Sequence, residues 1–176
     1  MIKRSNMRLS AATLVIVLTT ALLAQTQQQP KHDSSMSQTQ MDEMMKRGNK
    51  VMGFDQMKTT HHFLLRENGG LIQIQANDGK DNESRDEIRR HLRHIASMFG
   101  EGNFNAPMLI HDQTPPGTET MKRLKAEIGY EFKELERGAV IRISTRNAEA
   151  LAAIHEFLVF QINEHKTGDP LEVPRG

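Results

Sequence analysis

The chain has 176 residues, 23 of them basic and 22 acidic, and contains no cysteine. So even a balance lacks the basic footprint that a phosphate backbone demands, which excludes nucleic acid as a partner. Without thiols there are no disulfides and no thiol chemistry, so stability must come from a packed core.

The N-terminus reads as a targeting segment. Lys3, Arg4 and Arg8 precede an uncharged apolar run at residues 11–24. That run is too short for a comfortable membrane span and has the form of a secretory signal, cleaved after Ala21 or Ala24. The competing reading is an uncleaved N-terminal anchor. A signal at residues 1–24 implies a periplasmic or secreted protein with no stable membrane span after cleavage. The remainder has the length of one domain.

Residues 25–50 are rich in Gln, Ser and Met. They carry too little apolar surface to offset the entropy of ordering, so the expectation is a disordered linker or at most a frayed helix. Met36, Met41, Met44, Met45, Met52 and Met57 lie in or just after this segment. Thioethers are soft donors suited to Cu(I). Equally, Met41, Met44 and Met45 form a short amphipathic stretch able to dock on the domain.

The domain, residues 51–170, makes one unit twice. Residues 61–78 match residues 130–147 without a gap, pairing Phe63 with Phe132, Glu67 with Glu136, Gly69 with Gly138, Ile72 with Ile141 and Ile74 with Ile143. The first copy turns at Asn68-Gly69, a strong type I′ hairpin signal. Counting outward, Leu65 faces Ile72, Phe63 faces Ile74 and His61 faces Ala76. Alternation puts these six on one apolar face, with His62, Leu64, Arg66, Leu71, Gln73 and Gln75 on the other.

A helix follows, with Ser84 and Glu87 as its capping box and Ile88, Leu92, Ile95 and Phe99 as its apolar stripe. Gly100 and Gly102 stop it. In the irregular stretch 104–117, Met108, Leu109 and Ile110 suggest a short strand before Pro115-Pro116. Thr118 caps a second helix running to Ile128. The second hairpin turns at Arg137-Gly138, with Tyr130 in the place of His61 and Glu134 in the place of Leu65. Asn147 caps the last helix, whose stripe is Leu151, Ile154, Leu158 and Ile162. Matching Ile88 to Leu151, Ile95 to Leu158 and Phe99 to Ile162 makes residues 79–84 an extra loop of the first copy. His165 and Lys166 suit the helix C-terminus, Gly168 its αL cap and Pro170 its stop, leaving 171–176 as a loose tail. The fold class expected is α+β. Its form is a two-layer sandwich of two repeated β-hairpin-plus-helix units, a four-stranded antiparallel sheet with helices on one face.

Histidine is the one concentrated ligand-type signal, at eight residues beside eleven methionines. His61, His62 and His111 are the candidate metal ligands, for copper or zinc, with the methionines as mobile soft donors. His111 and Asp112, on a proline-flanked connector, are the candidate acid/base pair of a small hydrolase or transferase. No spacing of the HExxH type or nucleophile motif of the GxSxG type is present. Ser144-Thr145-Arg146-Asn147 looks like the phosphate loop of carbamoyltransferases, but the chain is about half the necessary length, and the tetrad is more simply a strand end and a cap.

The blocks MGFDQMKTTHHFLL, APMLIHDQTPPG, MKRLKAEI and ALAAIHEFLVFQINEHKTGDP, spanning residues 51–170, resemble a family of small exported bacterial proteins. Some of these are labelled aspartate carbamoyltransferase. The resemblance implies export and names no activity. Three functions follow as expectations: a periplasmic binding or accessory protein handling a transition metal, a small enzyme using His111 and Asp112, or a protein-interaction domain using the open sheet face around His62, Leu64, Leu71 and Gln73.

Overall fold

The structure, a computed structural model, describes residues 38–174. The signal segment and the first half of the expected linker lie outside the described residues. Both hairpins form. β1 (Thr59–Arg66) pairs antiparallel with β2 (Gly69–Ala76), and β3 (Ile128–Leu135) with β4 (Gly138–Thr145). Each boundary of the second hairpin falls 69 residues after its counterpart. β2 and β4 meet at the centre, giving the order β1-β2-β4-β3.

The register differs by two residues from the one counted out from the turn. Phe63 faces Ile72 and Leu65 faces Gly70, so the turns are Glu67-Asn68 and Glu136-Arg137. The reason lies in the central seam. A Cβ on Gly69 would collide with the carbonyl of Ile143, and one on Gly138 with the carbonyl of Ile74. Gly69 takes a positive φ of 145 at the start of β2 rather than at a turn tip, and both glycines let β2 and β4 approach. A slip of two preserves the face of every side chain, where a slip of one would reverse it. Phe63, Leu65, Ile72, Ile74, Ala76, Ile141 and Ile143 are accordingly buried, and His62, Leu64, Leu71, Gln73 and Gln75 half-buried on the other side.

α2 (Asn82–Gly100) packs across β3 and β4, while α5 (Ala148–His165) packs most against β1 and β2. Each copy's helix therefore covers the other copy's hairpin. Asp81, not Ser84, caps α2: its carboxylate accepts from the Ser84 amide at 3.0 Å and the Ser84 hydroxyl at 2.8 Å. Asn147 caps α5 by accepting from the Glu149 and Ala150 amides. The caps stand 66 residues apart, and on that offset the buried positions agree: Ser84 with Ala150, Ile88 with Ile154, Leu92 with Leu158 and Ile95 with Gln161. The extra loop of the first copy is thus three residues, not six. Positions three apart share a helix face, which is why the apolar stripe alone misplaced the alignment.

Three segments depart from expectation. Residues 38–50, read as linker, belong to α1 (Gln38–Met52). Tertiary contacts supply what its composition lacks. The buried Gln56 amide donates to the Met45 carbonyl and the Asn49 side chain, Arg47 donates to the Ile110 carbonyl at 2.9 Å, and Met44 and Met52 are buried. Gly48 makes room for Gln56. Met108, Leu109 and Ile110 lie in a helix, α3 (Asn105–His111), not a strand. Its Pro107 falls in the first turn, where no amide is needed. α4 (Thr118–Arg123) is short, with Gly117 at φ 79 as its N-cap, and Ile128 already begins β3. Lys166, at φ 50, takes the αL cap of α5 in place of Gly168. The tail is partly tied down, since Val173 packs against the core.

Candidate functional site

The strands, α1 and the ends of α3 and α5 converge on one end of the core, and four histidines meet there. His61 comes from the inward face of β1, His91 from α2, His111 from the last position of α3 and His165 from the last position of α5. The His165 ring centroid lies 5.6 Å from His61 and 5.1 Å from His111. Phe54 closes the group, 6.1 Å from His61 and 5.5 Å from His91. Beside them, and reaching as far as Phe99 and Phe157, is a mainly apolar cavity of about 60 Å³, whose polar lining is His61, His91, Gln161 and His165, with Met52 on its wall and His111 outside it.

Burial sets the charge of this group. It pulls His61 and His91 down to about 4, with each also opposed by neighbouring imidazoles. It pulls His165 well below the ordinary histidine range and lowers His111. All four are neutral at pH 7, each with a lone pair available on one ring nitrogen. Not all of these nitrogens have partners. His61 Nε2 is buried without one. His111 Nε2 donates to Gln161 Oε1 at 3.1 Å, which leaves the lone pair on Nδ1, sealed from solvent and 3.5 Å from Glu164 Oε2. That separation is too long for a sound hydrogen bond, and Nδ1 and the Gln161 Nε2 both stay unsatisfied. Burial also raises the Glu164 carboxyl. Among the described residues, no group of three or more imidazole and carboxylate side chains is placed to hold a metal ion.

The expected trio His61, His62 and His111 is divided. His62 points to the opposite face of the sheet, because adjacent strand residues alternate. There its Nδ1 lies 2.8 Å from Asp169 Oδ1. Asp169 also accepts from the Phe63 amide at 2.9 Å and the Thr167 hydroxyl at 2.7 Å. Burial opposes ionisation of Asp169, but the hydrogen bonds from Thr167, Phe63 and His62 outweigh it and hold the carboxyl below its usual range. This arrangement pins the chain after α5 to the edge of β1. It was invisible in a sequence that separates the two residues so widely.

His111 and Asp112 are not a pair. Asp112 sits at φ 54 and is exposed, while the His111 ring turns inward to Gln161, Phe160 and His165. The αL turn ends α3 and sends the two side chains apart. His155 is structural, its Nε2 lying 2.9 Å from the Arg66 carbonyl and 3.1 Å from that of Gly69. His94 is exposed. The Ser144–Asn147 tetrad is a strand end and a cap: Thr145 donates to the Glu127 carbonyl, and Asn147 holds the start of α5. Leu71 and Val173 line one groove together with Arg66 and Arg142.

Sequence reasoning missed His165, which it placed as a helix-end charge. Its spacing of seven from the buried Leu158 was the available signal, since that continues the inward stripe. Compared with protein-family models, curated proteins and solved structures, the chain matches none.

Proposed function

We propose that this is a small exported binding protein that holds a transition-metal ion on its buried imidazole cluster. The observation that carries the reading is the set of neutral, water-sealed ring nitrogens without partners, His61 Nε2 and His111 Nδ1, on either side of His165. Burying a polar atom unpaired costs free energy, and a metal ion offsets that cost by taking the lone pair.

The spacing suits this use. Metal–imidazole bonds are about 2.0–2.1 Å, so two rings sharing one ion have centroids on the order of 5–6 Å apart. The separations of 5.6 and 5.1 Å fall in that range. Rotation of the rings is needed to bring their nitrogens onto one ion. The N-terminal leader supports a periplasmic or secreted setting, where a chain without thiols must bind metals through nitrogen, oxygen or thioether. Acid/base catalysis by His111 with Asp112 draws no support from the site, because the carboxylate faces solvent.

Calorimetric titration of the metal-free protein with Zn(II), Cu(II) and Cu(I) tests the proposal. One ion should bind per chain, and His165→Phe should weaken binding on the order of a hundredfold. His62→Ala should leave it unchanged. Equal affinity in the wild type and His165→Phe overturns the reading.

A further inference from the structure

We infer that the ion is Cu(I), that the Met52 thioether completes its coordination together with His61 and His165, and that α1 is the strap that carries this donor. The inference rests on the metal-binding reading and specifies its ligand.

Three features of the cavity point this way. The first is the donor set. Met52 lines the cavity with His61, His91 and His165, and its side chain is 7% exposed. Two neutral imidazoles and a thioether make a soft, low-coordinate set, which suits Cu(I). The second is charge. No carboxylate is among the described residues that line the cavity. Glu164, 3.5 Å from His111 Nδ1, is not part of that lining. An uncharged ligand set leaves one positive charge uncompensated around Cu(I) but two around Zn(II) or Cu(II). The cost of burying charge rises steeply with its magnitude, so the monovalent ion is favoured. The third is room. A volume of about 60 Å³ is ample for a bare ion.

The way α1 is held makes it a suitable strap. Apart from Gly48, its buried described side chains are Met44 and Met52. Its attachments include polar contacts from Gln56 to the Met45 carbonyl and the Asn49 side chain and from Arg47 to the Ile110 carbonyl, and Val51 packs against the core. Displacing α1 would lift a methionine off the cluster and leave the strand order β1-β2-β4-β3 intact.

Anaerobic competition against a chromophoric Cu(I) chelator, with parallel Zn(II) titration, tests this on wild type, Met52→Leu and His165→Phe. Leu nearly conserves the volume of Met, so the fold should persist. Met52→Leu should weaken Cu(I) by at least about tenfold and leave Zn(II) unchanged. His165→Phe should weaken both. If Met52→Leu binds Cu(I) like wild type while His165→Phe does not, the thioether assignment falls and the metal reading stands. If wild type binds Zn(II) more tightly than Cu(I), the choice of ion falls. If wild type binds neither, both readings fall. X-ray absorption of the Cu(I)-loaded wild type needs no variant: a copper–sulfur shell is expected, and nitrogen-only coordination overturns the inference.

Discussion

At one end of the core, Phe99, Tyr130 and Phe157 pack together, with ring centroids 6.0 Å and 5.8 Å from Phe99, and Phe104 against Phe99 and Phe157. At the other end, His165, His61 and His91 occupy the corresponding places, with Phe54 against His61 and His91. The correspondence is residue for residue. Tyr130 is the strand counterpart of His61, and Phe157 and Phe99 are the helix counterparts of His91 and His165. One backbone plan has been filled once with carbocycles and once with imidazoles. Hydrocarbon rings are buried at a gain, whereas imidazoles carry nitrogens that need partners. Even at the hydrocarbon end the one polar tip, the Tyr130 hydroxyl, lies buried without a partner, and burial pushes its phenol up. The scaffold thus tolerates aromatic rings at these three places and does not require histidine at any of them. What the imidazoles add is lone pairs.

The largest expected effect tests whether the two ends differ in how they support the fold. Phe157→Ala should cost about 3–5 kcal/mol of stability in urea unfolding, the usual result for a buried aromatic ring. Its counterpart His91→Ala should cost clearly less at pH 7, because it removes a desolvated polar ring along with the packing. Equal losses would mean that His91 is simply core.

Acid separates the ends next. His61 and His91 titrate near 4 in the fold and near 6.5 when unfolded. Because the folded values are depressed, the unfolded state takes up protons first as pH falls. Stability is whole above about pH 6.5 and declines toward pH 4, by roughly 2 kcal/mol per imidazole at pH 5. The urea midpoint of the metal-free protein should drop accordingly between pH 7 and pH 5. The double variant His61→Tyr/His91→Phe, which copies the opposite end, should make that slope shallower, with His165 and His111 still contributing. An unchanged slope would show that these rings are protonated without penalty. Carboxylates do not mimic the effect, since groups held low, such as Asp169, lose their contribution only below the ordinary carboxylate range.

How much of this was legible in the sequence depends on which physical signal carried each element. The two hairpins were, because β1 through β4 repeat without a gap and alternation fixes the faces whatever the turn. The register was not, because Asn68-Gly69 advertises a turn while Gly69 answers to the Ile143 carbonyl on a strand remote in sequence. α1 was lost because its order depends on Gln56 and Ile110, which lie outside it. The histidine cluster was half seen. His61 and His111 were named, but their convergence needs α3 to be a helix and α5 to run on to His165. His62 and Asp169 face each other only once the chain folds back along β1.

The smallest expected effect concerns the two helix caps, which occupy equivalent positions with different chemistry. Asp81 accepts from the Ser84 amide and Asn147 from the Ala150 amide, both at 3.0 Å. Asn147→Ala should cost about 1 kcal/mol at any pH. The Asp81 carboxyl is held below its usual value, chiefly by the Ser84 amide and then by the Ser84 hydroxyl. A depressed carboxyl stabilises above its unfolded pKa, and the contribution disappears as pH falls through the folded value. Once protonated it still accepts through its carbonyl oxygen, but without the charge that strengthens the bond. Hydrogen exchange should therefore show the Ser84 amide losing protection relative to Ala150 below about pH 4. Asp81→Asn should remove that difference, since both caps are then neutral amides. Parallel behaviour of the two amides in the wild type would mean that the charge on Asp81 adds nothing to its geometry.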